Sequence, residues 1–312
     1  MLVTLGEPLA VFTSGTVGPA RVGDHYRLGL GGAECNAALG ARRLGTPSAV
    51  LGRVGDDPLG TALIRAMRAD DIDVRAIARD TAANTGVMFK EFRSAGRVRV
   101  SYARHESAGS RLAPEDLDPS LLGNAQVLHT TGITASFGDR ARAAIGDAMA
   151  AVHRTGGIVS FDVNYRRRLW PGPDEAVAAL GPLIARADVL FLTLAEAELF
   201  GVTADPADAV RKLRQLGPRR VVLKVDAARV VAADNGEILT RHRPPVQPVD
   251  PVGAGDAFAA GYLHGLLTNL DPVERLDLAM TLGRWAATTS GDNEGLPTFA
   301  ELDLLLEDDV AR

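Results

Sequence analysis

The chain predicts an α/β fold of three layers, with a mostly parallel central sheet and a small separate β-sheet. Three observations predict it. Short apolar runs recur along the 312 residues, and they are continuous rather than alternating, as strands buried on both faces are. Segments of helical period separate them, the pattern of parallel strands joined by crossover helices. Two further stretches, 10–30 and 85–104, alternate apolar and polar residues, which places them in an antiparallel sheet with one wet face.

The strand-like runs are "LVTLG" (2–6), "SAVLGRVG" (48–55), "VLHTTG" (127–132), "GIVSFDVN" (157–164), "VLFLT" (189–193) and "RVVLKV" (220–225). Helical candidates between them are 33–45, 60–72, 139–156 and 205–217. The segment "TGVMFKEFRSAGRVRVSYAR" (85–104) is expected to turn around Ser94–Gly96. The opening "MLVTLGEPLAVF" reads as a strand and lacks the basic start of a signal peptide, so a cytoplasmic location is expected. No repeat, low-complexity linker or polar tail divides the chain, and one α/β domain over 1–312 is the simplest organisation.

Composition removes several function classes. Hydrophobic residues make up 46% and charged residues 23%, with a net charge of -5 and both signs interspersed, so no basic face for nucleic acid is expected. No run approaches the ~18 apolar residues of a membrane span. The one cysteine, Cys35, excludes an intramolecular disulfide and a cysteine-rich metal site. "GARRLGT" (40–46) has P-loop glycine spacing but Thr46 where the lysine belongs, and it follows a helix. "GLGG" (29–32) lacks the third glycine of a dinucleotide fingerprint. The six histidines are scattered without metal-ligand spacing, and no Gly-x-Ser-x-Gly elbow occurs.

The informative stretch is "DPVGAGDAFAAG" (250–261). A glycine-rich turn entering a helix gathers unpaired backbone amides in front of the helix dipole, which is an anion site. Gly253 and Gly255, on either side of Ala254, allow close approach because they have no Cβ, and Asp256 falls in the first helical turn. An acid beside a bound phosphate is costly unless it works as a base, taking the proton of an attacking hydroxyl. The alternative is that Asp256 merely caps its helix.

A second motif, "GGAECNAALGARRLG" (31–45) followed by "GRVGDDPLG" (52–60), comes far earlier in the chain. Together the two resemble the signatures of the PfkB (ribokinase-like) carbohydrate kinases, and the resemblance spans nearly the whole length. It implies a ribokinase-like fold in which 10–30 and 85–104 form a lid over a sugar site. It also implies ATP as donor, Mg²⁺, and Asp256 as base, with the amides of Ala254, Gly255 and Asp256, following Gly253, holding the phosphoryl charge. Parts of the family are activated by a monovalent cation, and the sequence leaves that open here.

"GGAE" (31–34), "SYAR" (101–104), "SAGSRLAP" (107–114), "DVNYR" (162–166) and "SGDNEGLP" (290–297) are most similar to 2-keto-3-deoxygluconate kinases. The resemblance implies that Gly32, Asn36, Met88, Tyr102, Arg104, Arg166 and Asp292 face the sugar. Two arginines, Arg104 and Arg166, suit a carboxylate, which a guanidinium holds through two hydrogen bonds. Asn164, Thr193, Lys224, Gly253 and Gly255 are implied on the nucleotide side, with Glu196 of "TLAEAELFG" (193–201) and Asn164 for the metal. Three places depart from the family pattern. Thr193 replaces an asparagine, Met88 replaces a lid tyrosine, and Asp226 and Arg229 stand where the family has a Gly-x-x-Gly turn. Side chains at 226 and 229 predict an altered nucleotide turn. The remaining expectations are a kinase for an acidic keto-sugar, with fructose, ribose or a nucleoside as alternative acceptors, or a binder on the same fold. Apolar lid residues Val11, Phe12, Phe89 and Phe92 predict a homodimer or higher homo-oligomer through the lid.

Overall fold

Residues 1–93, 97–203 and 205–306 are described in the structure, a computed structural model; the turn expected at Ser94–Gly96 lies outside them. Nine strands form the large sheet: β1 (Leu2–Leu5), β4 (Ser48–Gly55), β5 (Ile77–Asp80), β8 (Val127–Thr131), β9 (Ile158–Asp162), β10 (Val189–Thr193), β11 (Arg220–Lys224), β12 (Arg229–Asp234) and β13 (Glu237–His242). Their order is β13-β12-β11-β10-β9-β8-β1-β4-β5. From β11 to β5 every pairing is parallel, while β12 and β13 add an antiparallel edge.

Strand residues alternate between two buried faces. Val3, Leu128, Leu190, Leu192, Val221 and Leu223 join one core with α5 (Asp139–Arg154), α6 (Pro173–Ile184) and α8 (Pro206–Arg214). Leu2, Val127, Phe191 and Val222 face the other way, onto α9 (Ala254–Leu267) and α10 (Pro272–Ala286). On that same side α1 (Ala33–Arg43) and α2 (Pro58–Ala69) cover β4 and β5. Burial on both sides is why the strands read as continuous apolar runs.

The N-terminal stretch is two strands and not one. β1 enters the large sheet, the chain breaks at Gly6-Glu7-Pro8, and β2 (Leu9–Val17) starts the small sheet. That sheet has the order β3-β2-β6-β7, with β3 (Tyr26–Gly31), β6 (Val87–Phe92) and β7 (Val98–Ala103). Its outer pairs are antiparallel, as expected, but the central β2–β6 seam is parallel. β2 follows β1 and β6 follows β5, two parallel strands, so both leave the large sheet in one direction.

The small sheet's two faces differ. Val11 pairs with Met88, and Met88 with Tyr102, on the face toward the large sheet's strand ends; Phe12 pairs with Phe89 on the outer face. The expected exposed set is therefore corrected. Val11 is buried, and Phe92 shares the parity of Met88, which leaves Phe12 and Phe89 together outside, their rings stacked at 5.5 Å.

Candidate active site

Parallel sheets bind ligands beyond the carboxyl ends of their strands, where successive crossovers leave in opposite directions. Here β1 lies between β4 and β8, and a cavity of about 540 Å³ opens at that end. Consecutive strand ends supply Glu7, Ile133, Asn164, Thr193 and Lys224. The small sheet adds Leu9, Met88, Val100 and Tyr102 from above.

The first turn of α9 forms one wall. Gly253 is its N-cap, at φ +86, and a Cβ there would drive into the carbonyl oxygen of Asp292. Glycine is required twice over, for the left-handed backbone and for the close approach. The N–H groups of Gly255 and Asp256 fall in the first turn, where no helical acceptor exists. Ala254 departs from its expected role: its N–H turns toward the Pro251 carbonyl at 3.4 Å, and the residue lines a neighbouring cavity instead.

Asp256 does not cap its helix. Its Oδ2 accepts from Asn36 Nδ2 at 2.9 Å, and Asn164 Nδ2 lies 3.5 Å from Oδ1. Burial pushes its carboxyl from 3.8 up to about 7, with Asn36 and Arg166 pulling down and Asp162 and Asp292 pushing up. An acid titrating near neutrality and open to a cavity is poised to exchange a proton. Asn36, expected to face a sugar, lines the cavity, and its amide is also held, since Oδ1 accepts from Asn293 Nδ2 at 3.0 Å. It orients Asp256.

Other expected residues are also held in place. Thr193 caps α7 (Leu194–Leu199), and Glu196 completes a capping box. Glu196 Oε2 accepts the Thr193 N–H at 2.7 Å and Oε1 the Tyr165 N–H at 2.6 Å, which makes it a fixed anion at the cavity edge. Threonine is also a favoured N-cap, so the departure from asparagine keeps the cap. Lys224 Nζ donates to Asp162 Oδ2 at 3.0 Å. Arg104 is buried, not on a wet strand face; it pairs with Glu7 and lies between the rings of Tyr102 and Phe137. Arg166 differs: it is exposed on the cavity wall and forms no ion pair with any described residue. Gly32, Met88, Tyr102 and Asp292 line the same cavity.

The turn at 226–229 needs no glycine. Neither residue has positive φ, and Asp226 Oδ1 accepts the N–H groups of Ala228 and Arg229 at 2.7 and 2.8 Å. The aspartate caps its own turn. Beside it lies a second, mostly apolar cavity of about 290 Å³, walled by Val230, Phe258, Met280 and Ala287. It joins the first through Lys224, Pro251 and Gly255, which line both.

With the acid at a glycine-capped helix start, the residues from both sequence motifs meet in one cavity. Residues 4–299 match the family model described as "pfkB family carbohydrate kinase". The chain belongs to this family.

Relatives of this sugar kinase divide by substrate. It is 36% identical to a 2-dehydro-3-deoxygluconokinase of Thermoproteus tenax, over 98% of this chain and 94% of that one. It is 35% identical to a fructokinase of Klebsiella pneumoniae, over 86% and 88%. The fructokinase of Vibrio cholerae O395, solved with fructose, ADP and calcium ion, superposes with a TM-score of 0.85 at 26% identity, covering 98% of this chain and 99% of that one.

Several acids of the kinase cavity were not assigned from sequence. Glu7 was hidden inside a presumed strand, and Ser107 of "SAGSRLAP" hydrogen-bonds it. Glu34 is buried beneath the cavity, accepting from Thr131 and Thr134 at 2.7 Å each, and burial raises its carboxyl. Asp162 of "DVNYR" holds Lys224. Among the described residues no helix is long and apolar enough to cross a membrane.

Proposed function

We propose that this kinase transfers the γ-phosphoryl of ATP to a hydroxyl of an acidic keto-sugar of the 2-keto-3-deoxygluconate class. The observation that carries the substrate class is Arg166, a guanidinium without an ion-pair partner among the described residues, on the wall that also holds Asp256. A guanidinium that no described residue pairs, in a cavity otherwise rich in paired charges, is suited to a carboxylate. The 36% identity to a 2-dehydro-3-deoxygluconokinase supports the same class. A neutral acceptor is the competing reading, favoured by the fructokinase relative and by Glu7, which already occupies Arg104.

In the proposed step Asp256 takes the proton of the attacking hydroxyl as its oxygen bonds to the γ-phosphorus. The bond from that phosphorus to the β–γ bridging oxygen breaks, and ADP leaves with the electron pair. The N–H groups of Gly255 and Asp256, with the α9 dipole behind them, stabilise the charge of the phosphoryl group in transfer. Lys224 faces both cavities and is placed to meet the phosphates, while the apolar second cavity suits the base of the nucleotide. Gly32, Met88, Tyr102, Arg104 and Asp292 are the proposed sugar contacts, and closure of the small sheet over them would keep water from competing as acceptor.

The donor set fits Mg²⁺. No group of three or more His, Cys, Asp or Glu among the described residues is arranged to hold a metal by itself. Hard oxygens of Glu196 and Asn164 do line the cavity, as suits an ion that is shared with phosphates and keeps several waters. When bound, the ion neutralises phosphate charge. The lone buried Cys35 agrees with a reducing, cytoplasmic setting. The outer face of the small sheet, with Phe89 and Leu28 partly exposed beside Phe12 and Tyr26, is the proposed homodimer surface; a monomer by sedimentation would remove it.

ADP release with MgATP across 2-keto-3-deoxygluconate, 2-keto-3-deoxygalactonate, gluconate, fructose, ribose and adenosine tests the substrate class. Wild type should prefer an acidic keto-sugar, and Arg166→Met should lose that preference while retaining turnover of fructose. Preference for a neutral sugar, or an equal loss on both, would reassign Arg166 to the nucleotide phosphates.

A further inference from the structure

Lys90 sits in the middle of β6, yet its side chain is fully buried. Its ammonium donates to Asp292 Oδ1 at 2.7 Å and pairs with Asp250, both of them buried carboxylates. Burial alone would favour the neutral amine, but the two carboxylates outweigh it and raise the lysine's pKa, so it stays charged. Lysine is almost never fully buried without such partners.

The partners belong to the two loops that frame the start of α9. Asp250 Oδ1 accepts the Val252 N–H, and its Oδ2 the Gly291 N–H, each at 3.1 Å. The Asp292 carbonyl packs against Gly253 so closely that no Cβ fits between them. One ammonium therefore joins the small sheet, the turn before α9 and the loop around 291–292 at a single buried point. Without it, two carboxylates would face each other in a dry site and drive their loops apart.

We infer that Lys90 is a positioning residue, whose ammonium is a built-in cation holding the Val252–Asp256 anion site in register with the small sheet. It touches no reacting atom. It acts through Asp250 and Asp292, and because the chain supplies the charge itself, turnover does not require a dissolved monovalent cation.

The test uses whichever sugar wild type phosphorylates, so an unexpected substrate leaves it intact. Initial rates of ADP release are compared in potassium chloride, ammonium chloride and tetramethylammonium chloride, alongside melting temperatures. Wild type should turn over equally in all three salts. Lys90→Ala, which leaves room for a small ion between the carboxylates, should lose about 100-fold in kcat in tetramethylammonium, the cost expected when a transition-state cradle is misplaced by about 1 Å. Potassium or ammonium should restore most of that loss, which a purely structural role would not produce. Should Lys90→Ala fail to fold, the charge-balanced Lys90→Met/Asp250→Asn protein decides: near-wild-type melting with a similar fall in kcat and little change in KM supports the inference. Wild-type kcat in either folded variant overturns it. So does a loss in Lys90→Ala that no small cation restores, or a wild-type enzyme that is itself cation-dependent.

Discussion

The floor and the roof of the cavity are built on different terms. On the floor, strand-end side chains are held before any ligand arrives: Lys224 by Asp162, Glu196 by two backbone N–H groups, and Asp256 by Asn36. On the roof, Tyr102 is 42% exposed and Met88 offers only apolar surface. The floor rests on a parallel sheet buried on both faces, the roof on a four-stranded sheet with one wet face. The contrast assigns preorganised chemistry to the floor, and contact and closure to the roof. Changes to the floor should therefore reduce kcat, as should loss of Lys90, which reaches from the roof to the loops framing α9, whereas changes to the roof's cavity-facing side chains should mainly raise KM.

The largest effect is expected at Asp256. Asp256→Asn keeps the shape but removes the proposed base, and kcat should fall on the order of 10³-fold while KM for MgATP changes little, as initial-rate kinetics would show. A small loss would mean the floor only binds. The same substitution sharpens the contrast through stability. Because the folded carboxyl is raised from 3.8 to about 7, its ionisation costs the folded state progressively between those values. Wild type and Asp256→Asn should melt alike below that window, and the variant should melt higher above it, by a few degrees for ~1 kcal/mol. Equal melting temperatures at pH 8 would show that the carboxylate is not held at a cost. The smallest effect is expected on the roof: Tyr102→Phe removes one hydroxyl from a half-exposed ring and should raise the sugar KM only several-fold, a loss of ~1 kcal/mol, with kcat nearly intact. A large fall in kcat there would place chemistry on the roof and break the comparison.

Legibility in the sequence follows the same divide between local and distant causes. Strands β4, β8, β10 and β11 were readable because burial on both faces leaves continuous apolar runs. Gly253 and Asp256 were readable because a glycine turn entering a helix is a local signal. The break at Gly6-Glu7-Pro8 was not, since the apolar pattern carries through it from one sheet to the other. Nor were the partners of buried charges. Asn36 meets Asp256 across 220 residues and Lys90 meets Asp292 across 202, and nothing in either neighbourhood names its partner. The cap within the 226–229 turn was hidden for a related reason: the sequence shows side chains where the family has glycines, but not that the Asp226 carboxylate accepts the N–H groups of Ala228 and Arg229.

The most direct test of Asp256 as the base is the pH dependence of kcat/KM for the sugar, measured in wild type and in Asp256→Asn. A base raised to about 7 must lose its proton before it can accept another, so the wild-type value should climb with pH and level off above about 7. In Asp256→Asn the value should be low and without that rise. The same rise in both proteins would show that another group sets the profile, and that Asp256 does not do the work assigned to it.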